Sequence, residues 1–163
     1  MPRNVSESCS SDALCRIDID CDDARWRPWI AHARAVLAAA AAHLDVADCE
    51  VSVKLADDAT LAELNARFRA KNAPTNVLAF PYGETQDETT SGHLGDIAVS
   101  YDTLAREAAD IGDHLAHLLI HGFLHLLGRR HDDDQAAAAM EGEEVAILAT
   151  LGIADPYRRE DRA

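Results

Sequence analysis

The side chains best suited to chemistry lie between His121 and His131, in the run HGFLHLLGRRH. His121 and His125 are four apart in a segment where Leu115, Leu118, Leu119 and Leu126 recur at helical spacing. At about 100° per residue both imidazoles return to one helix face, which makes them a chelating pair. Gly128 can take the positive φ that ends a helix and turns the chain back, so that His131 arrives as a third nitrogen ligand. Three neutral imidazoles with a fourth position left to water describe a catalytic zinc site, since a structural one would be closed by four protein ligands. Nitrogen-only ligation with tetrahedral room favours zinc over other ions. The plainer alternative, partly buried helix histidines holding no metal, suits a lone histidine better than two at this spacing followed by a glycine and a third.

The spacing coincides with the metzincin protease pattern H-E-x-x-H-x-x-G-x-x-H at its histidines and glycine, but the glutamate is replaced by Gly122. The general base of peptide hydrolysis therefore has no counterpart, and the metal geometry points to another use. His114 and His117 precede the motif on much the same face. His117 is expected to stand behind the ligands or on the substrate side, and His114 to face solvent.

A second stretch, LNARFRAKNAPTNVLAFP, gathers Arg67, Arg69 and Lys71 ahead of Pro74 in an otherwise acidic chain. Two readings fit it: phosphate binding, or a solvated helix end whose cations suit the negative end of the helix dipole. The net charge of −14 argues against loose attraction to nucleic acid, so any RNA contact must be local. The 163 residues suit one domain with a single core, expected over 14–157 between a polar N-terminal tail (1–13) and a short C-terminal one (158–163). No apolar run reaches the roughly 18 residues of a membrane helix, and the start lacks the apolar core of a secretory leader, which predicts a cytoplasmic protein. Cys9, Cys15, Cys21 and Cys49 form no CxxC pair and are expected to be thiols.

Alternation predicts strands over 14–20, 50–55, 77–80 and 94–100, with Asp96 on an exposed face and residues 82–93 as a hairpin-like loop. Periodicity predicts a helix over 29–44 with Pro28 in its first turn, and another from Asp57 or Asp58 carrying Leu61, Leu64 and Phe68 inward. A third should run from Ser100 through Ala109 and close at Gly112, with Asp113 capping the histidine helix. A last helix, from about Gln135 to Leu151, follows Asp132, Asp133 and Asp134, turns Met140, Val145, Leu148 and Leu151 inward, and stops at Gly152.

Taken together these residues resemble the YbeY family of bacterial endoribonucleases and ribosomal RNA maturation factors. The likeness rests on His121-Gly122-Phe123-Leu124-His125-Leu126-Leu127-Gly128-Arg129-Arg130-His131, on Leu64-Asn65 with Arg69, on Pro74-Thr75-Asn76-Val77-Leu78 ending Phe80-Pro81, on Leu94-Gly95-Asp96-Ile97, and on Met140-Glu141 with Asp155-Pro156-Tyr157. The resemblance implies an α+β fold in which a small mixed four-stranded sheet is packed with about five helices and the zinc-bearing helix is central. It also implies one zinc ion on His121, His125 and His131, and an important arginine at Arg69. The activity implied is single-strand-specific RNA cleavage in maturation of the 3′ end of 16S ribosomal RNA and in ribosome quality control. The partners would be single-stranded RNA and the ribosome or small-subunit factors, with neither DNA nor membrane expected.

Two positions depart from the family pattern. Arg129-Arg130 replaces Tyr-Asp before the last ligand, removing a carboxylate that can orient His131 and adding two cations able to grip phosphate. Ala79 stands where a serine is expected. The expected mechanism is attack of zinc-bound water on a phosphodiester, with Arg69 stabilising charge on the phosphoryl oxygens and His117, Asp132 or a second water as base. Arg67, Lys71, Arg129 and Arg130 would then contact substrate. The rival readings are a ribosome-associated assembly factor with a structural zinc, a metalloprotease, and a hydrolase of small phosphate esters.

Overall fold

The computed structural model describes residues 15–46, 49–69, 76–81, 92–129 and 133–157; the expected tails, Lys71, Arg130, His131 and Asp132 lie outside the described residues. Four strands, β1 (Cys15–Cys21), β2 (Cys49–Ala56), β3 (Val77–Pro81) and β4 (Gly92–Ser100), make one sheet in the order β1-β2-β4-β3. β1–β2 and β2–β4 are parallel and β3–β4 antiparallel, so the sheet is mixed, as the family resemblance implied. The described residues also form five α-helices: α1 (Ile30–His43), α2 (Asp58–Arg69), α3 (Tyr101–Glu107), α4 (Ile111–Leu126) and α5 (Asp134–Thr150).

Alternation along β2 explains how the sheet is covered. Cys49, Val51, Val53 and Leu55 are buried on one face, where α1 and α4 meet, and Glu50, Ser52 and Lys54 are half-exposed on the other. Burying each of these aliphatic side chains is worth roughly 1.5–3 kcal/mol, which fixes the register against a one-residue slip. α2 packs on the second face, where Leu61 joins Ala56, Leu78 and Ala98 in a smaller cluster flanked by Leu64 and Phe80. Cys15 and Cys49 are register partners across β1–β2, and a hydrogen bond between the thiols, with burial, pushes the Cys15 pKa up.

α4 is the central helix. It packs tightly on the sheet at Gly122, where an added Cβ would stand 3.1 Å from Ile97 Cγ2 of β4. A glutamate at 122 would thus drive into the sheet. At Gly95, φ is +151° and an added Cβ would lie 2.4 Å from the Phe80 carbonyl oxygen, so β3, β4 and α4 meet closely only because this residue has no side chain.

Several boundaries differ from expectation for local reasons. Gly92 and His93 belong to β4 rather than to a loop, because His93 continues the ladder opposite Glu50. Pro28 lies in a 3-10 segment, Ala24–Trp29, that precedes α1 and buries Trp26, whose Nε1–H donates to Ala56 O at 2.8 Å. α3 ends at Glu107, and Gly112 falls inside α4 instead of closing α3. The cap of α4 is Asp110, whose Oδ1 accepts from Asp113 N at 3.0 Å, and Asp113 sits one turn in. In α5 the buried residues are Met140, Glu144, Ile147 and Leu148, while Val145 and Leu151 are half-buried.

Two helix starts cap one another. Asp102 of α3 accepts from the Asp58 backbone N–H at 3.0 Å, and Asp58 Oδ1 accepts from the hydroxyls of Ser100 and Thr103, both at 2.6 Å. Burial alone would raise the Asp58 pKa, but the bonds from Ser100, Thr103 and Arg106 outweigh it and hold it low. Asp58→Ala should therefore destabilise the fold by about 1–3 kcal/mol, because it strands the fully buried Ser100 hydroxyl. A depressed carboxylate stabilises above its unfolded pKa of about 3.9 and loses that contribution as pH falls through the folded value. Melting curves should show the gap between parent and variant at pH 7 closing in acid; a gap unchanged at low pH would contradict this role.

Candidate metal centre

One stripe of α4 carries His114, His117, His121 and His125, all half-buried. His121 and His125 converge, their Nε2 atoms 3.2 Å apart and their rings at 82°. The partners of the other ring nitrogens assign the tautomers. His121 Nδ1 lies 2.6 Å from Glu144 Oε2, and His125 Nδ1 lies 3.1 Å from the Arg129 carbonyl oxygen. Both partners accept, so both Nδ1 atoms carry the proton and both Nε2 atoms present lone pairs. The two lone pairs turn toward one point, the disposition in which imidazoles share a cation.

This arrangement fits a metal. Nitrogens bound at about 2.0–2.1 Å to one tetrahedral zinc stand roughly 3.3–3.4 Å apart. Metal-binding histidines donate their other N–H to a carboxylate or a backbone carbonyl, and one of each is present. Among the described residues no group of three ligating side chains surrounds one point. The described chain supplies the pair, and the expected third ligand, His131, lies beyond it.

Gly128 ends the helix as its sequence position predicts. With φ at 93°, it lets Gly128 N bond His125 O and Arg129 N bond Leu124 O, both at 3.0 Å, the two bonds of a Schellman closure. The turn delivers the Arg129 carbonyl to His125.

Glu144 is the residue that periodicity missed. Its side chain is only 1% exposed, and it accepts from His121 Nδ1, from His117 Nε2 at 2.9 Å and from the Tyr157 hydroxyl. Burial would raise its pKa, but the bonds from His117, His121 and Tyr157 prevail and hold it at about 2. It is therefore a carboxylate at neutral pH. Tyr157 is pushed the other way, by burial and by the Glu144 charge, and keeps its proton. A signal existed: Glu144 is four residues from both Met140 and Leu148, on the inward stripe of α5.

The other expected site residues are placed unevenly. His117 Nε2 is also 3.0 Å from the Tyr157 hydroxyl, so this nitrogen is committed to the carboxylate cluster and only Nδ1 is left to take a proton. His114 meets Glu107 at 2.8 Å rather than simply facing solvent. Arg129 holds Glu143 with a two-bond fork, Nε to Oε1 and Nη2 to Oε2, each 2.9 Å. Arg69 is the last residue of α2, and its side chain is not among the described ones. Arg67 lines a groove of about 510 Å³ with Leu64, Phe80, Lys54 and Asp96, on the sheet face that α2 covers and α4 does not.

Known proteins share both sequence and fold. The family model described as endoribonuclease YbeY matches residues 17–152. A Rhodopseudomonas palustris protein named endoribonuclease YbeY is 46% identical over 153 residues, spanning 90% of this chain and 80% of the relative. One of the same name from Ruegeria pomeroyi is 42% identical over 163 residues, spanning 88% of this chain and 99% of its own. The solution structure of a Thermotoga maritima protein superposes with a TM-score of 0.54 at 21% identity, covering 89% of this chain and 99% of that one, which extends the likeness to the fold.

Proposed function

The chain belongs to the YbeY endoribonuclease family, and from that premise we propose that it is a zinc-dependent endoribonuclease that cuts single-stranded RNA, acting on the 3′ end of 16S ribosomal RNA and in ribosome quality control. Endonucleolytic hydrolysis of RNA is what the relatives' name supports. The observation that carries the metal reading is the convergence of two Nε2 lone pairs, each imposed by an acceptor on the opposite ring nitrogen.

His121 and His125 would hold the ion with His131. Bound zinc would supply Lewis acidity and a water acidified enough to attack at neutral pH. The protein's own part is orientation: Glu144 and the Arg129 carbonyl hold the rings so that neither can turn its lone pair away. Arg69, at the end of α2, would meet the charge growing on the phosphoryl oxygens. His117 would accept a proton only at Nδ1. A peptidase reading gains nothing from the fold, since Gly122 faces Ile97 and offers no room for a base.

No described helix is long and apolar enough to cross a membrane. We place the protein in the cytoplasm with ribosomal RNA as its partner, and its acidity leaves RNA contact to a local surface.

The test is metal content and cleavage in one preparation purified without added metal. Zinc near one ion per chain, cleavage of single-stranded RNA, loss of cleavage on chelation and recovery with zinc are the expected results. Metal-free protein cutting RNA at the parent's rate would sink the metal mechanism. Zinc without cleavage would instead favour an assembly factor with a structural ion.

A further inference from the structure

Residue 129 is held three ways. Its backbone N–H closes the α4 turn on Leu124 O, its carbonyl accepts from His125 Nδ1 at 3.1 Å, and its guanidinium is forked onto Glu143 of α5. The next residue of α5, Glu144, holds His121. We propose that Glu143 is a positioning residue for His125, acting through Arg129, so that consecutive carboxylates of one helix orient the two imidazoles of the metal pair.

This inference rests on the zinc reading above and reassigns Arg129, whose place beside the last ligand suggested a grip on phosphate. Its Nε–H and one Nη2–H are engaged by Glu143, which fixes the plane of the guanidinium against α5 and leaves only its Nη1 edge to any other partner. Magnitude separates the roles. The Arg129–Glu143 pair is about one-third exposed on each side, and such pairs contribute roughly 0–1 kcal/mol to stability. Its effect is directional: a two-point anchor on the side chain limits how the backbone of residue 129 can turn, and that backbone carries the oxygen on which the His125 tautomer depends. Without that acceptor, His125 can place its proton on Nε2 and lose the lone pair that faces His121.

The experiment uses Glu143→Leu, Arg129→Met, the double variant and the exchanged pair R129E/E143R in the full chain. Zinc affinity is read by competition with a chromophoric chelator, ligand geometry by the absorption bands of Co(II) in place of zinc, and kcat and KM separately on single-stranded RNA. Each single variant should weaken Zn(II) by about 3- to 10-fold, somewhat less than direct partners of ligands do. Both should perturb the Co(II) bands alike, lowering kcat more than they raise KM. The double variant should be no worse than either single one, and the exchanged pair should recover most of the affinity. The idea is overturned if Glu143→Leu leaves zinc affinity and the Co(II) bands unchanged. It is equally overturned if Glu143→Leu lowers KM while Arg129→Met raises it, the signature of an arginine freed to bind phosphate. A parent that binds zinc but cuts no RNA would remove the nuclease reading and leave the affinity comparison intact; a parent that binds no zinc would overturn both.

Discussion

Replacing His125 by alanine is expected to remove zinc and RNA cleavage together while leaving the fold in place. Each imidazole of a three-nitrogen site carries a large share of a total that for structural zinc sites reaches roughly 10–16 kcal/mol. Loss of one therefore lowers affinity by at least about a hundredfold, enough to empty the site in an ordinary purification. The cost to the fold is smaller. His125 is half-buried and its Nδ1 makes one neutral bond to a carbonyl, worth about 1 kcal/mol. Zinc per chain, turnover on single-stranded RNA and the melting point of metal-free protein separate these effects. Arg69→Ala is the contrast, and it should keep its zinc while losing turnover. A His125→Ala protein that holds no zinc and still turns over like the parent would exclude the proposed chemistry.

Replacing Glu144 by alanine should cost more in stability than any change at the ligands, and should loosen zinc as well. The carboxylate is buried and accepts from His117, His121 and the Tyr157 hydroxyl. Its removal leaves three inward donors without their acceptor, and breaking a buried charged cluster of this kind costs about 3–5 kcal/mol. In a chain of this length that is a fall in melting temperature on the order of 10 °C. The same change frees His121 to exchange tautomers, so zinc affinity should drop about 10- to 100-fold. Glu144→Gln preserves volume but turns an amide N–H₂ toward one of the donors, so it should fall between parent and alanine in both respects. Thermal melts of metal-free protein and chelator competition on the folded fraction provide the measurements. A Glu144→Ala protein with unchanged melting and unchanged affinity would show that the cluster has neither role.

The two predictions draw on different kinds of information. His125 was legible because its meaning lies in spacing: a helix places residues four apart on one face whatever else the protein does, and a glycine after the last turn releases the chain. The same local rules placed the strands, since alternation along EVSVKL is enough to orient Val51, Val53 and Leu55 inward. They also anticipated Gly128 as the stop of α4, because few other residues take φ near +90° cheaply. Where local signals competed, they misled. Asp110 and Asp113 are equally good caps by type, and Gly112 resembles a helix stop until its packing against Trp29 is seen.

Glu144, Tyr157 and the Arg129–Glu143 fork belong to the other kind. A glutamate in an alanine-rich helix reads as solvated surface, an arginine beside a metal motif as a phosphate ligand, and a tyrosine at the last position of the expected domain carries no signal of a buried partner. The sheet's alternation, the helix that bears the imidazoles and the turn that closes it are encoded locally, because each depends on contacts within a few residues. Which nitrogen of each imidazole faces its neighbour, and which face of the sheet receives Arg67, emerge from long-range packing. Those outcomes depend on α5 crossing α4 and on α2 covering one end of the sheet, contacts between residues far apart in the chain whose partners no local periodicity encodes.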